Sequence, residues 1–382
     1  MIKTSIKGAD ISNKKGIREA ILVFLKELLS REDFDAVLIP MRVPSEDSYA
    51  WVLVNDENLL DDAGPVAPVM PVQGANALSS CSRKGEESIR IAALMRPCEI
   101  RAAIELSKLN QVRLESVTLI SYDCPGALPL SDYIKDPVKG EKTFDSVLAK
   151  TGRDVESVKQ VCRICDDFSM LPASDLHFAF SGRSGENILL IPASKKGSAL
   201  LKKMDIEPSV DISSWKENIE ELKKEQIKRR KERFKKVKGM VEGFDRLAET
   251  FADCTGCHNC QSVCPVCYCR QCYFESETSK PDAGSVLLRT ESRGAVSLPA
   301  DRVMFHIGRM SHMSLSCVSC GLCTDACPVS IPVADIFSYV ADRTQDTFNY
   351  RSGEDKGEPI PLKTYREEEE KGINDLVKGA EG

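Results

Sequence analysis

The sequence predicts an α/β (α+β) N-terminal domain followed by a cysteine-rich domain with substantial helix. Strand-like and helix-like segments alternate over the first 210 residues, a long charged helical stretch follows, and seven cysteines crowd into "CTGCHNCQSVCPVCYCRQC", Cys254 to Cys272. At 382 residues the chain is too long for one ordinary core and suits two domains. The expected divisions are 1–210, a connecting helix at 211–251, the cysteine-rich part at 252–345 and a charged tail at 346–382 containing "YREEEEKG".

The elements follow in order. Ile17, Ala20, Ile21, Phe24, Leu25 and Leu28 fall on one face of a helix, and "FDAVLIPM" reads as a short buried strand. After the Pro-rich "AGPVAPVMPVQG" come the strand "SIRIAALM", the helix "EIRAAIELSKLN" and the strand "SVTLISYD". Strands alternating with helices argue for a parallel or mixed sheet. In the connecting stretch Ser213 and Ser214 offer an N-cap, and Ile219, Leu222, Ile227, Phe234 and Val237 supply the apolar positions. Its basic run "KRRKERFKKVK" reads as a solvated helix face, with a docking surface for an acidic partner as the alternative.

Composition narrows the classes. Hydrophobic residues make up 42% and charged residues 29%, a globular balance, and a formal net charge of −6 does not suggest nucleic-acid binding. The N-terminus lacks the apolar core of a secretory signal and no run of about 18 apolar residues occurs, so a cytoplasmic chain without a transmembrane segment is expected. Sixteen cysteines in such a chain favour metal over a disulfide framework, which belongs to short secreted proteins.

The spacing of the cysteines is specific. Cys254, Cys257, Cys260 and Cys264, followed by Pro265, fit C-x2-C-x2-C-x3-C-P, and Cys317, Cys320, Cys323 and Cys327 with Pro328 repeat it. Two-residue spacings let a tight loop aim three thiolates at three corners of one iron–sulfur cube. The fourth cysteine begins the next element and, in two-cluster ferredoxins, ligates the other cube. The expected sets are therefore crossed: Cys254, Cys257 and Cys260 with Cys327, and Cys317, Cys320 and Cys323 with Cys264. This is a ferredoxin-type dicluster domain with two 4Fe-4S clusters and an insertion between its motifs, suited to relaying electrons. Structural zinc, the alternative, does not call for triplets plus a distal Cys-Pro twice.

Cys267, Cys269 and Cys272 remain outside both motifs; as alternative ligands, part of a further site or structural thiols, spacing leaves them open. In the first domain Cys98 and Cys124 each follow a strand, where open α/β sheets place their ligand crevice, and Cys162 and Cys165 form a C-x2-C pair. These four are enough for a third 4Fe-4S cluster, or are ordinary buried cysteines. Cys81 lies in a polar stretch without a partner, and His177, His258, His306 and His312 are scattered and read as structural.

With these motifs the chain resembles the beta-subunit family of coenzyme F-420-dependent hydrogenases and dehydrogenases, particularly the formate dehydrogenase beta subunit. "CTGCHNCQSVCPVCYCRQC" and "RMSHMSLSCVSCGLCTDACPVSIPVADIF" look like that subunit's dicluster domain, and "RPCEIRAAIEL", "YDCPG" and "CRIC" look like the family's own cluster site. The resemblance implies a third cluster at Cys98, Cys124, Cys162 and Cys165. It also implies an FAD in the first domain that exchanges hydride with a deazaflavin or similar carrier. Where the family pattern looks like K-G-x-C-G-G, this chain reads "KKGIREAILVF": Gly16 stays, and Ile17 and Arg18 stand near the place of the glycine pair. "SDLHFAFSG" keeps only part of a family segment near the flavin. FAD is accordingly expected to bind weakly or not at all, unless Arg18 contacts a pyrophosphate or carrier anion.

The functional expectation is an iron–sulfur electron-transfer subunit. It would link a formate dehydrogenase-like or hydrogenase-like catalytic subunit to a heterodisulfide reductase-like acceptor. The alternatives are a flavoprotein that itself exchanges hydride with a deazaflavin or nicotinamide carrier, and a zinc-stabilised binding module.

Overall fold

The computed structural model describes residues 6–361, apart from 32, 83–88, 150–155, 170–172, 184–186, 270, 277–281 and 295–300. The acidic "YREEEEKG" of the tail lies outside the described residues.

The first part is built on a sheet of β1 (Lys7–Asp10), β2 (Ala36–Arg42), β3 (Tyr49–Val54), β4 (Ile91–Leu94), β5 (Val117–Tyr122), β6 (Leu176–Ala179), β7 (Leu189–Pro192) and β8 (Val210–Asp211). Their order is β3-β2-β4-β5-β6-β7-β1-β8. Strands β2, β4, β5 and β6 make a parallel centre, and the others pair antiparallel at its flanks. The alternation of side chains along a strand sends Val37, Ile39, Ala92, Leu94, Ile120 and Tyr122 to one core. Leu38, Ile91, Ala93, Val117 and Leu119 go to the other. A sheet apolar on both faces needs helices on both.

Those helices are α1 (Ile17–Ser30), α2 (Gly74–Ser82), α3 (Pro97–Lys108), α4 (Leu130–Lys135), α5 (Pro137–Ala149), α6 (Gln160–Arg163) and α7 (Lys195–Lys203). Helix α1 buries the expected face and Leu29 besides. Phe24 meets Phe178 of β6 edge to face, with ring centres 5.6 Å apart. Cys81 belongs to α2 and packs on the second core, where the sequence suggested a polar loop.

The long helix α8 (Ser213–Val241) starts without a serine cap: Ile212 is the N-cap and Ser213 is already helical. It ends before Gly243, whose φ of 86° turns the chain into α9 (Phe244–Thr250). Gln226 is buried while Ile227 is exposed, the reverse of the apolar pattern. Its basic run is divided in use. Arg230 pairs with Asp166 and Asp342, and Arg233 with Asp335, so part of the run faces inward.

The cysteine-rich part contains α10 (Asn259–Ser262), α11 (Ala283–Arg293), α12 (Asp301–Met313), α13 (Leu322–Asp325) and α14 (Val333–Thr347). It has its own core, formed by Phe251, Phe305, Met310, Met313, Ile336 and Phe337 among others. No described helix is long and apolar enough to cross a membrane.

A strap at residues 350–353 ties α3 to this part. Glu105 accepts from Tyr350 Oη at 2.5 Å and from the Gly353 amide at 2.8 Å. Arg101 donates to the Ser352 carbonyl at 2.8 Å, and Ser352 Oγ donates to the Cys317 carbonyl at 2.9 Å. Gly353 has a φ of 70°, and a Cβ there would lie 2.4 Å from the Arg101 Cα. Gly353→Ala is therefore expected to cost about 1–3 kcal/mol of stability, read as an earlier midpoint in denaturant. An unchanged midpoint would show that the strap contributes nothing to the fold.

Candidate metal centre

The two cysteine motifs fold as copies of one another. In each, the residue before the middle cysteine and the residue after it are left-handed: Gly256 and His258 in the first, Ser319 and Gly321 in the second. Each then starts a four-residue helix, α10 or α13. The amides of Cys264 and Cys327 close the same turn onto Gln261 and Thr324, both at 3.1 Å. Two reversals of handedness around a central cysteine fold the loop tightly, as two-residue spacings require.

Around the first loop, Cys254, Cys257 and Cys327 all act electrostatically on Cys260. Around the second, Cys264, Cys317, Cys320 and Cys323 line one small cavity. Each fourth cysteine thus stands beside the other motif's triplet. Burial pushes the thiols up: Cys260 and Cys317 to about 11, Cys320 to about 12, and Cys323 well above the ordinary range.

In the sheet domain, Cys98 follows β4 at the start of α3, Cys124 follows β5, and Cys162 lies in α6 with Cys165 just after it. All four line a small cavity, together with Arg96, Phe168, Ser319 and Cys320. Cys320 lines this cavity and the preceding one. The contact is close, since Gly321 packs against Val161 and Lys159, and Lys159 is buried in an ion pair with Asp325. Cys98 is raised well above its ordinary value by burial, then by Glu99, Cys124 and Cys320.

A charge ring closes the same region. Asp166 and Asp167 follow Cys165 and meet Arg101, Arg230 and Arg351. Burial alone would raise the Asp167 carboxyl, but the three guanidiniums hold it down to about 2.

Spacing did not reveal two neighbours of the thiols. His306 is buried, stacks on Phe251 at 3.9 Å and comes within 3.5 Å of Cys254 Sγ. Arg309 is buried on the same helix and touches Cys260. Both sit on the inward face of α12 with Phe305 and Met310, so amphipathic phase was the available signal. Away from the thiols, His177 Nε2 lies 2.9 Å from buried Asp123, which also accepts from Trp215 at 2.9 Å.

The remaining cysteines differ among themselves. Cys267 packs in the cysteine-rich core beside Cys264 and is pushed up to about 12, mainly by burial. Cys269 is exposed, and Cys272 Sγ accepts from Gln261 at 3.6 Å. None of the sixteen cysteines forms a disulfide. A single zinc ion needs its sulfur ligands about 2.3 Å from one point. Among the described residues no three His, Cys, Asp or Glu side chains converge on a single point.

At the head of α1, Gly16 has a φ of 97° and Ile17 is buried in the core. The Arg18 guanidinium donates to Asp145 at 2.7 Å, lies 3.7 Å from Glu141 and sits over the Phe144 ring. It is already neutralised by carboxylates of α5.

Residues 250–331 match the 4Fe-4S dicluster domain. The chain is 26% identical to the F420-dependent formate dehydrogenase subunit beta of Methanocaldococcus jannaschii, over 89% of this chain and 93% of that one. It is 28% identical to the F420-dependent formate dehydrogenase 1 subunit beta of Methanococcus maripaludis, over 90% and 92%. A chain of the F420-reducing [NiFe] hydrogenase complex of Methanosarcina barkeri aligns with a TM-score of 0.44 at 11% identity, over 63% of this chain and 95% of that one. The chain is an iron–sulfur protein, and its likeness to formate dehydrogenase beta subunits runs through both the sheet and the cysteine-rich part.

Simultaneous replacement of Cys267, Cys269 and Cys272 by serine is expected to leave both ferredoxin-type spectroscopic signals intact, because the crossed sets expected from the two motifs draw on eight other cysteines. Loss of either signal would show that the crossed sets are wrong.

Proposed function

We propose that this chain is the electron-relaying subunit of an F420-dependent formate dehydrogenase-like or hydrogenase-like complex, with a heterodisulfide reductase-like module as acceptor. Three 4Fe-4S clusters would be held by Cys98, Cys124, Cys162 and Cys165, by Cys317, Cys320, Cys323 and Cys264, and by Cys254, Cys257, Cys260 and Cys327. Clusters of this kind accept and release one electron at a time. The observation that carries the reading is the position of Cys320, which lines two thiol-rich cavities at once, so the sheet site and the second motif adjoin.

The chain's own residues support a fixed relay. Arg101, Arg230 and Arg351 clamp Asp166 and Asp167 beside Cys165. Lys159 and Asp325 pin α6 to the second motif. Cys257 is exposed on the first motif, which suits that end to exchange with a partner. Twelve cysteines are committed to clusters on this reading, with no open coordination position for substrate, so formate would be turned over elsewhere in the complex.

The head of α1 supports a reading without flavin. Ile17 fills the core and the Arg18 guanidinium is engaged by Asp145 and Glu141, so Arg18 itself is not free to take a diphosphate. The second reading, a flavoprotein exchanging hydride with a deazaflavin, draws on the F420 dependence in the relatives' names.

Anaerobically purified protein is expected to contain about twelve irons per chain, since each cube holds four. Cys98→Ser or Cys162→Ser should remove about four of them and leave the ferredoxin-type signal. Iron near eight, unchanged by either substitution, would sink the third cluster. Denaturation of the same preparation is expected to release no stoichiometric flavin. One FAD per chain, with reduction of the clusters by a deazaflavin or nicotinamide carrier, would overturn the relay reading in favour of the flavoprotein.

A further inference from the structure

One buried cation stands where the two motifs meet. Arg309 is 2% exposed. Its Nη1 donates to Cys260 Sγ at 3.1 Å and its Nη2 to the Cys260 carbonyl at 3.0 Å, while Nε has no hydrogen-bond partner. The guanidinium carbon lies 4.7 Å from the centre of the Phe337 ring and 5.6 Å from that of Phe305. The same side chain lines the cavity of Cys264, Cys317, Cys320 and Cys323. It therefore touches the first thiol set and borders the second.

What it lacks matters as much. Among the described residues no carboxylate forms an ion pair with Arg309, and a buried charge without a counterion is costly. The groups that act on it electrostatically are Cys260, Cys264, Cys323 and Cys267. The other buried cation at this junction, Lys159, is matched by Asp325 and carries little net charge to its surroundings. Arg309 is thus the uncompensated positive charge between the motifs.

We infer that Arg309 sets the reduction potentials of the two clusters carried by these motifs, holding both higher than thiolate ligation alone would, and acting more strongly on the one ligated by Cys260. This rests on the reading that the motifs carry 4Fe-4S clusters. Reduction adds one negative charge to a cluster, and a fixed positive charge in a water-poor interior favours that state with little screening. A charged hydrogen bond to the ligand sulfur acts in the same direction. The first cluster receives both effects and the second only the charge.

The test is a potentiometric titration of the anaerobically purified full chain, followed by EPR with iron assayed in parallel. Arg309→Met and Arg309→Gln remove the charge, Gln keeping one donor, and Arg309→Lys keeps the charge. In the neutral variants, at wild-type iron content, the Cys260-side cluster is expected to become at least tenfold harder to reduce. For a one-electron couple that is a fall of about 59 mV. The neighbouring cluster should fall less, and R309K should stay near wild type. Loss of iron from both neutral variants with retention in R309K would also support the charge role. Unchanged midpoints in iron-replete R309M and R309Q would overturn the inference while leaving the cluster reading intact. Loss of iron from all three variants would overturn it too, since the site would then need the guanidinium's shape and not its charge. A wild-type chain that holds no iron would remove the cluster reading and this inference together.

Discussion

Desolvation of thiols is the constraint from which the rest of the molecule follows. Desolvation raises the thiols of half-buried Cys98, Cys317, Cys320 and Cys323, because a thiolate out of water needs a positive charge beside it. As neutral thiols they would be small apolar groups lining cavities that no side chain fills. Iron bound by these cysteines would take the place of the proton and supply the missing charge, which would link loading to folding. The cations nearby fit this arrangement. Arg96, Lys159 and Arg309 are all buried close to cysteines that line the cavities.

The sheet serves the same constraint from its own side. Parallel strands β4 and β5 end together, so the residues after them project at one edge, and Cys98 and Cys124 arrive there on separate segments. Buried strands hold those two positions firmly. The C-x2-C pair comes from a short helix instead, and short helices have little stability of their own. It is secured by Asp166 and Asp167 beneath three arginines drawn from α3, α8 and the strap. Distant parts of the chain thus converge on one small segment.

The legible parts of the sequence were those with a long period or a rigid motif. The apolar face of α1, the strands β2, β4 and β5, and helix α3 were all readable, because each buries one repeating set of side chains. Strands β1, β6, β7 and β8 span only two to four residues each, which leaves little room for alternation to register. Helix α8 misled in detail. Gln226 turns inward where Ile227 does not, and Asp211 accepts from Ser213 Oγ, drawing that hydroxyl away from a capping role. Arg309 and His306 were invisible to spacing, since their partners are cysteines about fifty residues away in sequence. Charge pairs such as Arg230 with Asp166 depend on tertiary contact and leave no local trace.

The two motif loops show how one backbone can be adapted to two surroundings. Both need a left-handed residue after the middle cysteine, a conformation that favours glycine. The second loop uses Gly321, where a Cβ would lie 2.5 Å from Val161 Cγ2, because this loop is pressed against the cavity of the sheet domain. The first loop uses His258 at a φ of 57° and recovers that backbone strain through its side chain, which stacks on Phe305 at 4.0 Å and pairs with Glu275 at 2.6 Å. A histidine is tolerated there because the first loop faces outward, with Cys257 exposed, while the second faces the interior. Repetition of the motif thus builds two sites of the same shape, and the residue after the middle cysteine marks which one lies within the protein and which one lies at its surface.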